Sequence, residues 1–243
     1  MLCGASAVGR GGKRGTFRRV QQVSVARAAR TGLLAPGAIA AIDATGLDAR
    51  HASTHYRYGY TPAYRAAYAG LHAGATPAPP HRRPGHPKLT LVIDTRSHLI
   101  VGALPGWGPS HDTPALAPVL RQAARLVRFA AATADAGYDA EHVHRLCREE
   151  LGMTATAVAL NRRTAGRRWP RTPYRRAMRR AFPRTLYAER QQVESVFSRD
   201  KRRLGAALTA RTRPTLAAEQ VLRVLTHNLL LLHAARCTFQ QSR

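Results

Sequence analysis

Apolar positions along this chain recur at two spacings, every second residue and every third or fourth, and the switch between them marks out the elements. The stretch "GAIAAIDATGL" (37–47) reads as a short buried strand with Ile39, Ala41 and Asp43 on one face and Asp43 near its C-terminal end. "KLTLVID" (88–94) and "HLIVGAL" (98–104) are two strands joined by a short turn, a hairpin pattern. In "HDTPALAPVLRQAARLVR" (111–128) the period becomes helical, with Asp112 placed as N-cap and Pro114 in the first turn. "FAAATAD" (129–135) is a small-residue strand ending in a second carboxylate, Asp135. A helix capped by Asp139 and stopped by Gly152 follows, then a fifth strand, "TATAVAL" (154–160). A last helix spans 214–235; Arg223, His227 and Asn228 interrupt its Leu run, so it reads as a buried helix and not a membrane span.

An antiparallel start followed by alternating strand and helix predicts an α/β fold, a mixed five-stranded sheet with helices on its faces. Residues 1–34 read as a basic, Gly-containing lead-in, partly disordered, and 35–243 as the folded domain. Between the first two strands, 48–87 is rich in Tyr, His, Arg, Gly and Pro and reads as an irregular basic insertion.

The segment "LYAERQQVESVFSRDKRRLG" (186–205) has no internal Gly or Pro and reads as one continuous helix. With Glu194 at zero on a helical wheel, Arg190 falls near about −40°, Tyr187 near about +20° and Lys201 near about −20°. Leu186, Val193, Val196, Phe197 and Leu204 cluster on the adjoining flank. Two readings stand on the helix taken by itself. One is a solvated face with an Arg190–Glu194 pair worth ~0.2–0.5 kcal/mol; the other is a functional row of Tyr, Arg, Glu and Lys. Asp200, at about −120° by the same period, interrupts the apolar flank.

Charge changes the picture. Lys and Arg total 39 against 13 Asp and Glu, a net charge of +26, while 44% of residues are hydrophobic. The chain is therefore a folded protein whose surface cations outnumber any acids that could pair with them, and a polyanion such as nucleic acid is the expected partner. The run "RRTAGRRWPRTPYRRAMRRAFPR" (162–184) reads as a DNA-backbone surface or as a solvated charge run. Three well-separated cysteines (Cys3, Cys147, Cys237) give neither a disulfide framework nor a zinc spacing, which fits a reducing cytoplasm; no membrane partner is expected.

In so acid-poor a chain, carboxylates at two strand ends and in a helix invite a metal reading, because hard divalent ions take oxygen ligands and leave positions open for phosphate. Asp94 in the turn "DTRS" and Asp112 at its helix start are assigned structural roles, as are Asp139 and Glu141. His51 and His55 lack a third ligand nearby, and His142 and His144 point to different helix faces.

"IDATGL", "TADAGYDAE" and Tyr187-x2-Arg190-x3-Glu194-x6-Lys201 together resemble the DDE transposases of bacterial insertion sequences, in the insertion-sequence-four-like and five-like group with a Y-R-E-K signature. "VESVFSRDKRRLG" and "LTHNLLLL" are similar to the same family. The resemblance implies a ribonuclease-H-like catalytic domain in which Asp43, Asp135 and Glu194 hold two Mg²⁺ ions, with Mn²⁺ able to substitute. It further implies that Tyr187, Arg190, Lys201 and Arg202 contact double-stranded DNA, at transposon ends and target. The implied reaction is metal-dependent strand cleavage and strand transfer by a homodimer on DNA, in the cytoplasm and associated with the nucleoid. The 42 residues before Asp43 show no helix-turn-helix pattern, so a truncated, catalytically inactive DNA-binding remnant is the alternative expectation.

Overall fold

A computed structural model describes residues 11–49, 85–161 and 169–241. The insertion anticipated at 48–87 falls largely outside them, as do His51, His55 and residues 162–168. The five core strands are β1 (Ala38–Gly46), β3 (His86–Asp94), β4 (Ile100–Gly108), β5 (Phe129–Ala134) and β6 (Ala155–Val158). They lie in the order β4-β3-β1-β5-β6. β1, β3 and β4 are antiparallel neighbours, whereas β5 and β6 run parallel to β1. This is the mixed five-stranded α/β sheet that the strand order implies.

Alternation along β1 sends its side chains into two cores. Ala38, Ala40 and Ile42 join Leu116, Val119 and Leu120 of α2 (Thr113–Ala124) and Val143 of α3 (Glu141–Arg145) on one face. Ala41 joins Val193, Val196 and Phe197 of α6 (Gln191–Leu204) on the other. β2 (Asp48–Ala49) continues the chain after β1 and pairs in parallel with β7 (Ala207–Leu208), which follows α6. That ribbon anchors the C-terminal end of α6 beside the end of β1. Gly152, with φ +68°, ends the stretch after α3 as expected.

Three expectations change. Residues 11–30, within the stretch read as a basic, partly disordered lead-in, form a helix, α1 (Gly11–Arg30). Its buried positions Gln21, Ser24, Val25 and Ala28 have helical spacing, but two are polar, so no apolar stripe announces them. Gln21 donates to the Val101 carbonyl at 3.3 Å and Ser24 to the Gln21 carbonyl at 2.8 Å, which satisfies both polar groups inside the protein. Second, the helix read as continuous over 186–205 is jointed: α5 (Arg184–Ala188) and α6 are separated by Glu189 and Arg190. Across the joint Arg190, Gln192 and Val193 each donate to the carbonyl three residues back, the tighter 3₁₀ pattern. Third, Asp139 does not cap α3, whose N-cap is Ala140. Its carboxylate instead takes Arg175 of α4 (Pro173–Arg180) in a fork, with both contacts at 2.7 Å.

The last helix, α7 (Arg213–Gln241), runs along the sheet edge at β4 and serves both cores, through Leu216 and Val224 on one side and Leu231 and Leu232 on the other. Asn228 is fully buried there. It accepts from the Ile100 N–H at 2.9 Å and donates to the Ile100 carbonyl at 2.8 Å, closing the backbone of an edge strand. Asn228→Ala strands both groups of Ile100, and urea unfolding should show a loss of about 2–4 kcal/mol.

Candidate active site

Asp43 and Asp135 owe their approach to strand register. β1 and β5 pair from Ile39↔Ala131 to Ile42↔Ala134, so Asp43 and Asp135 are the next residues on adjacent parallel strands. Both follow the alternation that points Ala41 at α6, so both belong to the sheet face that α6 covers. Asp43 Oδ1 accepts from the Ala44 N–H at 2.8 Å, and Asp135 Oδ1 accepts from the Gly137 N–H at 2.8 Å, opening a 3₁₀ turn over Ala136–Tyr138.

Glu194 stands in the first turn of α6, one residue from the buried Val193. Its Oε1 meets Arg190 Nη2 at 2.7 Å. The Arg190 guanidinium lies 5.7 Å from the centre of the Tyr187 ring, and Tyr187 packs edge-on to Phe182 at 4.9 Å. The joint between α5 and α6 explains this stack, because residues three apart eclipse one another in a 3₁₀ turn. Lys201, two turns further along α6, donates to Thr45 Oγ1 at 2.8 Å, two residues beyond Asp43 on β1. Arg202 is exposed on the next position.

Burial pushes the Asp43 carboxyl up to about 6, with Asp135 and Glu194 adding repulsion, against the pull of the Ala44 N–H and Arg190. Oxygen-only donors, facing one another and partly desolvated, suit a hard divalent cation. Among the described residues, no three potential ligands are gathered tightly enough to hold an ion as they stand. Glu194 is turned to Arg190, and one oxygen of each aspartate is engaged by a backbone N–H. The carboxylate donors are of a type that suits a hard divalent ion, while the Glu194 carboxylate is paired with Arg190.

A model of the transposase DDE domain family matches residues 35–229. The chain belongs to that family. Among curated proteins and among solved structures, none matches it. The match supports a transposase function and implies DNA binding, and the mixed five-stranded sheet flanked by helices is consistent with the ribonuclease-H-like fold of such domains. Among the described residues no helix is long and apolar enough to cross a membrane.

The "TADAGYDAE" segment of the transposase does more than supply Asp135. The Asp139 side chain is wholly buried in its fork with Arg175, and its Oδ2 also accepts from the Asn161 N–H at 2.8 Å. Glu141 accepts from the N–H groups of Tyr174 and Arg175, each at 3.2 Å, at the N-terminal end of α4. Two acids close to the site thereby fix a basic helix whose Arg176, Arg179 and Arg180 are exposed. Arg176 and Arg180 line a cleft of about 500 Å³ with Pro173, Ala177 and Ala181. Arg179 lies 5.6 Å from the ring centre of the exposed Trp169.

Three residues were not found from the sequence: Lys88, Tyr138 and, as a neighbour of the acids, Asp112. Asp112 occupies the N-cap position of α2 but makes no side-chain cap bond, and pairs instead with the Lys88 ammonium. Asp94 is structural as expected, accepting from Ser97 N at 3.0 Å and Ser97 Oγ at 2.6 Å in the hairpin turn.

A raised carboxyl has a definite consequence for stability. Between the ordinary 3.8 and about 6 the unfolded chain ionises Asp43 before the folded chain does, so stability falls as pH rises through that window. A shift of this size corresponds to about 3 kcal/mol at most. In metal-free buffer Asp43→Asn should therefore be more stable than wild type at pH 8, by about 1–3 kcal/mol, with the difference vanishing near pH 4. Urea unfolding at the two pH values measures it.

Proposed function

We propose that this transposase cuts DNA strands and joins the freed ends to target DNA, using Asp43, Asp135 and Glu194 to hold two Mg²⁺ ions, for which Mn²⁺ can substitute. The observation that carries the reading is the parallel register that sets Asp43 and Asp135 side by side at the strand ends, on the sheet face covered by the helix bearing Glu194. Divalent ions held there would activate the attacking oxygen and neutralise the leaving one in an in-line displacement at phosphorus.

The chain's own residues do the rest. Asp43 must give up its proton to become a ligand, and its raised pKa holds that proton until the pH passes about 6. When Glu194 turns to an ion, Arg190 loses its partner and becomes available to a phosphate oxygen, with its guanidinium still oriented by the Tyr187 ring. Lys201, hydrogen-bonded to Thr45, offers a second cation along the same row, and Arg202 a third toward solvent. The cations of α4 extend this surface along the DNA backbone. In the first step water attacks phosphorus, leaving a 5′-phosphate and freeing a 3′-hydroxyl; in the second, that hydroxyl attacks a target phosphodiester, forming a new phosphodiester and releasing the target strand's own 3′-hydroxyl. Neither step needs a covalent bond to the protein.

Purified protein with DNA carrying its own genomic flanks and Mn²⁺ should nick at the element boundary. Asp43→Asn, Asp135→Asn or Glu194→Gln should lower the rate by at least about 10³-fold while DNA binding, read by mobility shift, is retained. Binding without any cleavage by the intact, folded chain would instead identify a non-catalytic remnant. Changing Arg176, Arg179 and Arg180 to Ala together should flatten the slope of log K against log salt by about 2–3, the loss expected for three phosphate contacts.

A further inference from the structure

A fourth carboxylate borders the site from the opposite sheet face. α6 brings Glu194 from one side, while Asp112 precedes α2, which packs on the other. The approach of Asp112 to Asp135 is built into the loops. Thr113 Oγ1 donates to the Gly137 carbonyl at 2.9 Å, stitching the start of α2 to the turn that follows Asp135. Gly137 then matters for what it lacks. A Cβ there would stand 3.0 Å from Asp135 Oδ1 and 3.5 Å from Asp112 Oδ2, so the two carboxylates border one small space kept open by glycine.

Only one oxygen of Asp112 is committed to the Lys88 ammonium, which also donates to the Ser110 carbonyl at 2.6 Å. The other oxygen is the one that faces Gly137 and Asp135. A second observation, independent of the glycine, comes from the residue that follows Gly137. The Tyr138 hydroxyl has no hydrogen-bond partner, although the residue is 0% exposed. Its phenol is pushed above its ordinary range by burial and by the charges of Asp112, Asp43 and Asp135, so these three acids are its electrostatic surroundings. A buried donor without an acceptor costs about 1–3 kcal/mol unless something completes it. A water bound to an ion between these acids would accept that hydrogen bond.

Resting on the metal-dependent reading above, we infer that Asp112 Oδ2 is a further oxygen ligand, direct or through a bound water, for the cation held at Asp135, with Lys88 as its positioning partner and the Tyr138 hydroxyl as donor to the hydration shell. The rival account is a plain ion pair, in which Asp112 does no more than balance Lys88.

Mn²⁺ titration of the full chain by electron paramagnetic resonance and calorimetry separates the two. Asp112→Asn should weaken Mn²⁺ binding about 10- to 100-fold, and Tyr138→Phe, which keeps the ring, should weaken it less. Lys88→Met combined with Asp112→Asn should bind no better than Asp112→Asn. Affinity restored in the double variant would overturn the inference, because charge balance would then explain everything. So would unchanged affinity in Asp112→Asn when Asp135→Asn and Glu194→Gln have lost theirs, an outcome that leaves the proposed function standing. No Mn²⁺ binding by the wild-type chain would overturn both together. Since Asp112→Asn could also disturb the α2 start, wild-type protein loaded with Fe²⁺ and treated with peroxide gives an independent readout. Backbone scission is expected at both 111–113 and 135–138, and scission confined to the second segment sinks the idea.

Discussion

Repulsion among partly buried carboxylates is the constraint around which the transposase is arranged. The parallel register of β1 and β5 brings Asp43 and Asp135 side by side, on the sheet face covered by α6, whose first turn carries Glu194. Ionised acids taken out of water and set against one another are costly unless cations offset them. The chain has three cations for every acid, so the supply is ample. What the fold decides is where the cations go: Arg190 from the joint before α6 pairs with Glu194, Lys88 from β3 pairs with Asp112, and Lys201 reaches the Thr45 hydroxyl two residues beyond Asp43.

Holding a strained site needs a rigid frame, and the frame comes from elements remote from it. One core fastens α1, α2 and α3 to one sheet face, and the other fastens α6 to the opposite face. Because α7 contributes to both cores and closes the edge of β4 through Asn228, the two layers cannot shift independently. The β2–β7 ribbon fixes α6 at its far end, where Arg223 also donates to the carbonyls of Gly205 and Ala207. Movement is left to side chains. The Arg190–Glu194 pair is the natural moving part, since the Glu194 side chain is 48% exposed and an exposed pair of this kind contributes little stability.

The sequence made the sheet legible because each core strand carries either a clean apolar run or an alternating one, and carboxylates at strand ends stand out in so basic a chain. Glu194 was readable as a pattern but not as a place. A wheel puts it in line with Tyr187, Arg190 and Lys201, yet it assumes an uninterrupted helix, and the stacking of Arg190 on Tyr187 depends on the 3₁₀ joint that the wheel ignores. Lys88, Asp112 and Tyr138 were hidden for a different reason. Lys88 sits opposite Gly46 only through strand register, and Asp112 nears Asp135 only through the bond from Thr113 to Gly137. Neither contact leaves a local mark in the residues flanking it. Helix α1 escaped because hydrogen-bonded Gln21 and Ser24 occupy half of its buried stripe.

Asp200 looked like a defect, an acid on the apolar flank of α6, and its surroundings give it a purpose. Its Oδ1 meets His227 Nδ1 at 2.7 Å, while His227 Nε2 meets the His98 carbonyl at 2.9 Å. Each nitrogen of this 3% exposed ring therefore faces an oxygen, the Asp200 carboxylate on one side and the His98 carbonyl on the other. An apolar residue in place of Asp200 would leave a buried ring nitrogen without a partner and remove the link between α6, α7 and the β3–β4 hairpin. His98 completes the junction by accepting from Arg199 at 2.6 Å through Nδ1, which leaves Nε2 to donate to Gln192 at 2.8 Å. Four residues of the Y-R-E-K helix and the "LTHN" stretch are thereby committed to one interlocked joint. The departure from apolar periodicity is the cost of seating α6 on a buried polar junction, and it gives no support to the idea that the copy has decayed.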